Sequence, residues 1–565
     1  MRKYIAIDLE VGRGDGRIHQ FAAVRGDRPE FALRSAEGGV SRALQKLDAF
    51  AEGAEFVLGH NIIRFDMPRL EKVAGELRML RLPLVDTLWL SPLCFPRHPY
   101  HRLVKHYKDG GLVRTQQNNP ESDARLSMQL FEEELEVLQG LQATNPELLA
   151  AWHGLCSFEP HAEGLARVFR HVRGSEIPDD SIMRAAVRLF LQDRACPLAV
   201  QGLLEKNVAL WPLAYALAWL SVAEGNAFVS GNSVMPPWVR HEFPEAGRVV
   251  RQLRDERCGD SACPWCAEHH NPVRMLNRWF GYPGFRPVPA FEDGRPMQQA
   301  IVETAMAGED VLGILPTGTG KSLCYQIPAL SRYLNTGALT VVISPLVALM
   351  ADQVAGLRSR GVESCAALNG LLSEPERADV LERVRLGDVA ILIVSPEQLR
   401  NPGFRKAVEQ REVGAWVMDE AHCLSKWGHD FRPDYRYVGR YIRESAGDGF
   451  RAPLLCLTAT AKPDVVDDIR DYFRKELRAT LRVFDGGANR DNLSYEVRET
   501  NPAQKLNDLN MLMEEAFGPD APGGAIIYCA FRKTTEEVAK FLVEKGWAAA
   551  HFHAGLSPEV KKATQ

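Results

Sequence analysis

The sequence has no apolar run long enough to cross a membrane, since no stretch approaches the roughly 20 residues that a spanning helix needs. Its first residues do not resemble a secretory signal, because Asp8 interrupts the apolar run near the N-terminus. These absences predict a cytoplasmic protein without a membrane partner. In that compartment the eleven cysteines are expected to be thiols or metal ligands rather than disulfides.

An excess of basic residues is also missing, because 68 Lys and Arg against 73 Asp and Glu give a formal net charge of −5. Any nucleic-acid site must therefore be a local basic patch rather than the field of the whole chain. We find no internal repeat and no low-complexity segment. A chain of 565 residues is too long for one hydrophobic core and should hold about three or four domains.

Apolar patterning divides the chain into segments of different expected structure. They are an α/β domain over 1–140, a helical connection over 141–255, a Cys/His cluster over 256–275, a P-loop α/β domain over 276–487 and the start of another over 488–565. Strand-like runs at 311–315, 340–343, 390–394, 415–418 and 454–457 alternate with helical stretches, and a further strand is expected at 524–529. This alternation predicts a parallel sheet.

A glycine-rich loop lies between an apolar strand and a helical stretch. It reads Leu315-Pro316-Thr317-Gly318-Thr319-Gly320-Lys321-Ser322. Its glycines let backbone N–H groups turn toward phosphate oxygens, while Lys321 is expected to reach the β and γ phosphates and Ser322 to hold Mg²⁺. Leu315 stands where the strict pattern has glycine, so the assignment depends on a second motif.

That second motif follows the apolar run 415–418. It reads Asp419-Glu420-Ala421-His422. At a strand end Asp419 can hold the Mg²⁺ shell, and Glu420 can polarise the attacking water. The two motifs together predict that the chain binds and hydrolyses a nucleoside triphosphate, with Lys321, Asp419, Glu420 and His422 at the catalytic site.

Further segments occur in a recognisable order. They include Ser344-Pro345-Leu346-Val347-Ala348-Leu349, Ser395-Pro396-Glu397-Gln398-Leu399, Leu457-Thr458-Ala459-Thr460-Ala461 and His553-Ala554-Gly555-Leu556. With the two motifs above, they closely resemble the RecQ family of superfamily 2 DNA helicases over roughly residues 276–565. The resemblance implies RecA-like lobes, ATP and Mg²⁺ as cofactors, single-stranded or partially duplex DNA as partner, 3′ to 5′ translocation, and a role in DNA repair or processing.

Residues 427–433, which read Trp-Gly-His-Asp-Phe-Arg-Pro, are the most specific part of this resemblance. They are similar to that family's aromatic-rich loop, which senses single-stranded DNA and couples it to ATP hydrolysis. Trp427 and Phe431 are suited to stacking on bases, and Arg432 to pairing with phosphate or an acidic switch residue. The resemblance therefore implies a nucleic-acid contact through Trp427, His429, Phe431 and Arg432.

The resemblance also implies an adenine pocket upstream of the glycine-rich loop. Tyr282 would supply an aromatic face, and Gln298 would read the adenine edge. The cationic contact is assigned to Arg295, with Arg286 as the alternative because the Pro-rich stretch 283–294 separates Tyr282 from Gln298.

The later motifs of the family, including the one with the arginine finger, would lie beyond residue 565. We therefore expect a fragment of a longer protein that binds ATP but hydrolyses it and unwinds DNA poorly. The alternative is an ATP-gated DNA- or RNA-binding module that has a degenerate nuclease domain and does not unwind.

The N-terminal segment contains an ordered set of acids. Asp8 and Glu10 share one face of a strand, and Asp66 and Asp123 follow later. Four converging carboxylates suit two divalent cations flanking a scissile phosphate. The order resembles the DnaQ-like (DEDD) 3′–5′ exonucleases, which have a ribonuclease-H-like fold. That resemblance implies these four residues as catalytic metal ligands over 1–140.

A departure from this family leaves the nuclease activity open. The positions at which the family places a His or Tyr that activates water are Asn118 and Asn119 in this chain. Neither amide can act as a general base near neutral pH. The stretch His98-Pro99-Tyr100-His101-Arg102 is the substitute that the sequence offers.

A compact Cys/His cluster precedes the P-loop domain. Its candidate ligands are Cys258, Cys263, Cys266 and His269, a spacing that suits tetrahedral Zn²⁺. The alternatives are an iron–sulfur cluster with Cys196 as a distant fourth ligand, and a cluster without metal.

Overall fold

The computed structural model describes most of the chain. The described residues are all those outside 13–15, 36–38, 102, 104–118, 158–161, 207–208, 224–234, 427–431, 447–450, 460, 488–492, 518–522 and 565. They form two compact units, Met1–Asn489 and Arg490–Gln565. Among the described helices, none combines the length and the apolar character that crossing a bilayer requires.

The first unit begins with a five-stranded sheet in the order β3-β2-β1-β4-β5. The strands are β1 (Tyr4–Val11), β2 (Ile18–Arg25), β3 (Ala32–Arg34), β4 (Phe56–Gly59) and β5 (Leu84–Asp86). The helices of this region are α1 (Val40–Phe50), α2 (Asp66–Ala74), α3 (Thr87–Cys94) and α4 (Pro120–Thr144). β1 pairs antiparallel with β2 and parallel with β4. β4 in turn pairs parallel with β5, so the sheet is mixed.

Side-chain alternation along β1 decides which helices each face of the sheet meets. Ile7 packs in the core shared with α1 and α2. Tyr4 faces the other side, where its ring lies 5.8 Å from that of Phe131 on α4. Because residues two apart share a face, Asp8 and Glu10 continue the face that meets α4.

The middle of the chain is helical, as the sequence predicts. Its helices are α5 (Pro146–Leu155), α6 (Glu163–Arg173), α7 (Asp180–Leu191), α8 (Pro197–Leu204), α9 (Leu210–Val222), α10 (Pro237–Glu242) and α11 (Glu245–Arg254). The apolar helix α9 is buried in a core that includes Tyr4 and Phe131 of the N-terminal region. The Tyr215 hydroxyl donates to the Trp89 carbonyl at 3.0 Å, so α9 is also hydrogen-bonded to α3.

The P-loop region contains the parallel sheet that the sequence predicts. Its strands are β6 (Val311–Ile314), β7 (Leu339–Ile343), β8 (Cys365–Leu368), β9 (Ile391–Val394), β10 (Val413–Met418), β11 (Leu454–Thr458) and β12 (Arg482–Asp485), in the order β12-β6-β11-β10-β7-β9-β8. The helices are α12 (Pro264–His269), α13 (Pro272–Phe280), α14 (Met297–Met306), α15 (Leu323–Thr336), α16 (Val347–Arg358), α17 (Glu374–Leu386), α18 (Pro402–Glu409), α19 (Tyr435–Ala446) and α20 (Pro463–Leu477). All neighbouring strands run parallel, so their carboxyl ends lie along one edge.

The second unit contains α21 (Lys505–Ala516), α22 (Arg532–Glu544) and α23 (Pro558–Thr564). The strand predicted at 524–529 is wrong for this structure, since no strand is formed among the described residues of this unit. Ile526 is 81% exposed and Tyr528 is 91% exposed. An apolar run becomes a strand only when another strand pairs with its backbone, and this run has no such neighbour among the described residues.

Candidate functional sites

The glycine-rich loop connects β6 to α15. Gly318 and Gly320 have φ angles of +87° and +81°, a region that side chains with a Cβ rarely adopt. Thr317 and Gly318 are exposed, whereas Thr319, Gly320, Lys321 and Ser322 are half-buried. The Lys321 ammonium donates to the Leu315 carbonyl at 3.3 Å, so the side chain folds back over the loop. Ser322 immediately precedes α15, which places its hydroxyl at a helix N-terminus.

Asp419 follows β10 at the same edge of the sheet, where its N–H donates to the Ile343 carbonyl at 2.9 Å. Its Oδ2 accepts two long hydrogen bonds from described residues, at 3.4 Å from the Ser344 hydroxyl and 3.5 Å from the Gln353 amide. Gln353 in turn accepts from the Tyr325 hydroxyl on α15 at 2.8 Å. Burial, followed by repulsion from Glu420, raises the pKa of the Asp419 carboxyl.

Glu420 and His422 form a pair beside Asp419. A Glu420 carboxylate oxygen lies 3.3 Å from His422 Nδ1, and Glu420 has a φ of +48°. The contact with His422 lowers the pKa of Glu420, and Lys321 lowers it further. The Cys423 sulfur and Glu420 raise the pKa of His422 to about 10. Glu420 is therefore ionised at neutral pH.

Thr458, at the end of β11, connects the two motifs. Its carbonyl accepts from the Leu315 N–H at 3.0 Å, and its hydroxyl lies 2.9 Å from His422 Nδ1. β11 lies between β6 and β10 in the sheet, so one residue contacts both the glycine-rich loop and the DEAH segment. Thr458 thus links the loop that carries Lys321 and Ser322 to the segment that carries Asp419, Glu420 and His422.

A cavity of about 490 Å³ opens beside the loop. Its lining includes Phe280, Tyr282, Arg286, Gln298 and Ser322. The Gln298 amide donates to the Thr319 and Gly320 carbonyls at 3.0 and 2.8 Å, which ties α14 to the loop.

Two arginines, Arg286 and Arg360, line this cavity and Arg295 does not, which corrects the assignment of Arg295. The Arg286 N–H donates to the Gln298 side-chain oxygen at 3.4 Å. The Arg295 guanidinium instead pairs with Glu303 at 3.7 Å and lies 5.1 Å from the Phe291 ring centroid. Those two partners hold it away from the cavity, although it is closer to Gln298 in sequence.

The predicted nucleic-acid loop is described only at its end. Trp427, His429 and Phe431 lie outside the described residues. Arg432 donates from its backbone N–H to the Cys423 carbonyl at 2.9 Å and from its guanidinium to the Pro345 carbonyl at 2.8 Å. The guanidinium is thus held next to the segment that follows β7, close to the edge that carries Asp419.

Three of the four N-terminal acids converge. One carboxylate oxygen from each of Asp8, Glu10 and Asp123 lies within 4.8 Å of the others. Asp66, at the start of α2, is 2% exposed and accepts from the Leu9 N–H at 3.0 Å. Burial raises the pKa of Asp66 well above its ordinary value, and the neighbouring Asp8 raises it further. β1, α2 and α4 therefore bring the four predicted acids to one end of the sheet.

Residues 98–102, the predicted source of a substitute general base, are described except for residue 102. His101 is buried, and burial lowers its pKa to about 4, with His98 and His60 as nearby rings. Asn119 caps α4, since its side-chain oxygen accepts from the Glu121 N–H at 3.1 Å. Asn118 lies outside the described residues.

Asp86, which sequence reasoning did not single out, shapes this end of the sheet. It is fully buried at the end of β5 and accepts from the N–H groups of Asn61, Ile63 and Leu88 at 2.8, 3.1 and 3.0 Å. Burial raises its pKa to about 6. The sequence could have indicated Asp86 as a site residue, because it ends an apolar strand. Its hydrogen bonds hold the turn that leads to Asp66.

Four cysteine sulfurs form a separate group. They belong to Cys196, Cys258, Cys263 and Cys266, and all lie within 4.8 Å of one another. His269, predicted as the fourth ligand, is not in this group, because its ring stacks on Trp265 with centroids 3.6 Å apart. The Cys₃His assignment is therefore corrected to four cysteines. Local spacing could not select Cys196, which lies 62 positions before Cys258.

The P-loop region is similar to known helicases. Residues 295–469 match the DEAD/DEAH box helicase family model and lie within the predicted P-loop domain. The Bacillus subtilis "Probable ATP-dependent DNA helicase RecS" is 36% identical over 285 residues, which are 50% of this chain and 52% of the relative. The Haemophilus influenzae "ATP-dependent DNA helicase RecQ" is 34% identical over 298 residues, 53% of this chain and 44% of the relative. The chain thus spans about half the length of these curated relatives.

Proposed function

We propose that this chain carries the ATP-binding motor of a RecQ-type DNA helicase. The observation that carries the proposal is the meeting of the glycine-rich loop and the DEAH segment through Thr458. The match to the DEAD/DEAH box family and the names of the relatives support it. Translocation from 3′ to 5′ and a role in DNA repair or processing are part of the same proposal and rest on the resemblance alone.

Lys321 and the start of α15 would bind the triphosphate. The loop N–H groups and the helix N-terminus supply partial positive charge, and Lys321 adds a full one. The Lys321 ammonium donates to a carbonyl at 3.3 Å, a bond that a phosphate oxygen can replace.

Ser322 and Asp419 would hold Mg²⁺. Three features of the Asp419 carboxylate suit a bound cation. Asp419 is 8% exposed, its Oδ2 accepts long hydrogen bonds, and the neighbouring Glu420 carries a like charge. A cation there would offset both the burial and the like charge. Bound Mg²⁺ supplies charge neutralisation on the β and γ phosphate oxygens.

Glu420 would orient the attacking water and accept its proton. Its lowered pKa keeps it in the basic form, and His422 fixes its direction. His422 also contacts Thr458, at the end of β11. A shift of the Glu420 side chain would therefore displace His422 and, through Thr458, the loop after β6. This is the route by which hydrolysis would move the lobe.

Gln298 would read the adenine while it holds the loop. Replacing Gln298 by alanine removes two hydrogen bonds to loop carbonyls, and we expect ATP to bind about tenfold more weakly. The discrimination of ATP against GTP should fall as well. Fluorescence titration with ATP and GTP checks both. The matched control is Gln299→Ala, since Gln299 bonds Glu303 on the same helix. Equal losses in the two variants would contradict the assignment.

DNA would act on this site through residues 427–432, which stand next to the DEAH segment in sequence. We expect single-stranded DNA to raise ATP turnover of the full chain by about tenfold or more, with RNA less effective. A coupled ATPase assay with strands of equal length and sequence checks this. Equal stimulation by RNA would favour the alternative of an RNA-directed module. No response to either strand would contradict the helicase proposal.

We also propose that residues 1–140 form a DnaQ-like 3′–5′ exonuclease. The convergence of Asp8, Glu10 and Asp123 supports it, because like charges within 4.8 Å are stable when cations lie between them. Asp66 would complete the set. Divalent ions bound there supply an activated water and stabilise the leaving oxygen. The chain itself would hold the carboxylates in place, with Asp86 fixing the turn before Asp66.

A further inference from the structure

We propose that a single Zn²⁺ ion is bound by Cys196, Cys258, Cys263 and Cys266. We also propose that this ion stabilises the packing of the middle helices against α15, the helix that follows the glycine-rich loop. The ligands come from two segments, since Cys196 precedes α8 whereas the others lie between α11 and the end of α12. The site lies outside the nucleotide and acidic sites and goes beyond the proposed function.

The sulfur positions match a tetrahedron around one ion. A Zn–S bond of about 2.3 Å places the sulfurs of a tetrahedral site about 3.8 Å apart. The Cys196 and Cys263 sulfurs are 3.7 Å apart, and those of Cys258 and Cys266 are 3.5 Å apart. Since all four lie within 4.8 Å of one another, one ion can contact every sulfur.

This spacing argues against a four-iron cluster and against a disulfide. In a four-iron cluster each thiolate binds a different iron atom, so the sulfurs lie farther apart than around one ion. In a disulfide the sulfurs are about 2 Å apart, well below the distances found here. Four protein ligands leave no open position, so the role is structural rather than catalytic.

Buried positive charge stands beside the cluster. Zn²⁺ with four thiolates carries a net negative charge, which a nearby cation would stabilise. The Arg254 guanidinium is 4% exposed and lies 5.3 Å from the ring centroid of Trp265, the residue just before Cys266. Within the described residues its Nε has no hydrogen-bond partner. The Cys196 N–H donates to the Leu253 carbonyl at 3.0 Å, which joins the start of α8 to the end of α11.

The cluster is connected to α15 by polar contacts on either side. Asp255, just after α11, accepts from Asn335 at 3.2 Å and pairs with Arg332 at 3.5 Å. The His269 carbonyl, just after Cys266, accepts from the Ser331 hydroxyl at 3.4 Å. An ion that closes the chain between 196 and 266 therefore holds both contacts in place and stabilises the first unit by restricting its unfolded state.

Metal analysis of the purified full chain tests the site. We expect about one Zn²⁺ per chain, without iron or sulfide. Cys196→Ser should reduce the zinc content to background, whereas His269→Ala should retain it. Cys529→Ser, a change at a half-buried cysteine of the second unit, is the matched control and should also retain zinc. Removing the metal should lower the Tm by several degrees.

Alkylation of the unchanged protein keeps the proposal testable if Cys196→Ser fails to fold. Cys258 and Cys266 are partly exposed and would react readily as free thiols. Mass spectrometry should find them protected as purified and reactive after a zinc chelator, with Cys529 reactive throughout. A chain without metal, iron in place of zinc, loss of zinc in His269→Ala, or reaction before chelation would each overturn the proposal.

Discussion

Replacing Lys321 by alanine is expected to reduce ATP turnover by about 100-fold or more. The ammonium is the one full positive charge that the glycine-rich loop itself carries, and Glu420 lies close enough for Lys321 to lower its pKa. Its loss removes charge stabilisation of the phosphates and leaves Glu420 more easily protonated. Turnover measured with saturating single-stranded DNA checks the size of the effect.

The control for this substitution is Lys475→Ala. Lys475 is an exposed lysine on α20, so the change removes the same charge without touching the loop. Its turnover should equal that of the unchanged chain. Because Lys321 contacts a loop carbonyl rather than the core, the variant should also unfold at a similar temperature. Turnover within a few-fold of the unchanged chain would contradict the assigned role.

If residues 1–140 degrade DNA as proposed, replacing Asp8 by asparagine is expected to reduce that 3′–5′ degradation by more than about 100-fold. Changing residues that only hydrogen-bond to metal ligands already costs metal sites about 10- to 100-fold. The change removes one of three carboxylates within 4.8 Å while keeping the side-chain volume. It also removes a like charge next to buried Asp66, so we do not expect the fold to be weakened. Release of a 3′-labelled nucleotide in Mg²⁺ or Mn²⁺ measures the effect.

Three comparisons serve as controls for this experiment. Glu71→Gln removes an exposed acid on α2, the helix that begins with Asp66, and should degrade DNA normally. Asp8→Asn should leave ATP turnover unchanged, and Lys321→Ala should leave degradation unchanged. If Asp8→Asn degrades DNA at the original rate, the carboxylate assignment is wrong.

The strands that carry the nucleotide site were predictable from the sequence. β6, β7, β9, β10 and β11 are apolar runs that lie inside the sheet, and the structure confirms each of them with small shifts at the ends. β8 and β12 were not predicted, because each lies at an edge of the sheet. β12 buries only Phe484 of its residues, so it has no continuous apolar run to recognise.

At two sites the structure favours the residue that the sequence offered only as an alternative. Arg286 takes the place of Arg295 because Glu303 and Phe291 hold the latter. Cys196 replaces His269 as the fourth candidate metal ligand because the residue just before α8 is hydrogen-bonded to the end of α11. Motif spacing reports neighbours along the chain, whereas the position of Cys196 depends on how α8 packs against α11.

Calorimetric titration of ATP into the full chain, with and without Mg²⁺, tests the central claim most directly. The claim is that the loop after β6 and the DEAH segment after β10 form one site for a magnesium nucleotide. We predict that ATP binds with Mg²⁺ and binds more weakly without it or in Lys321→Ala. A chain that binds no ATP, or whose affinity for ATP changes neither with Mg²⁺ nor in Lys321→Ala, would contradict a shared magnesium-nucleotide site.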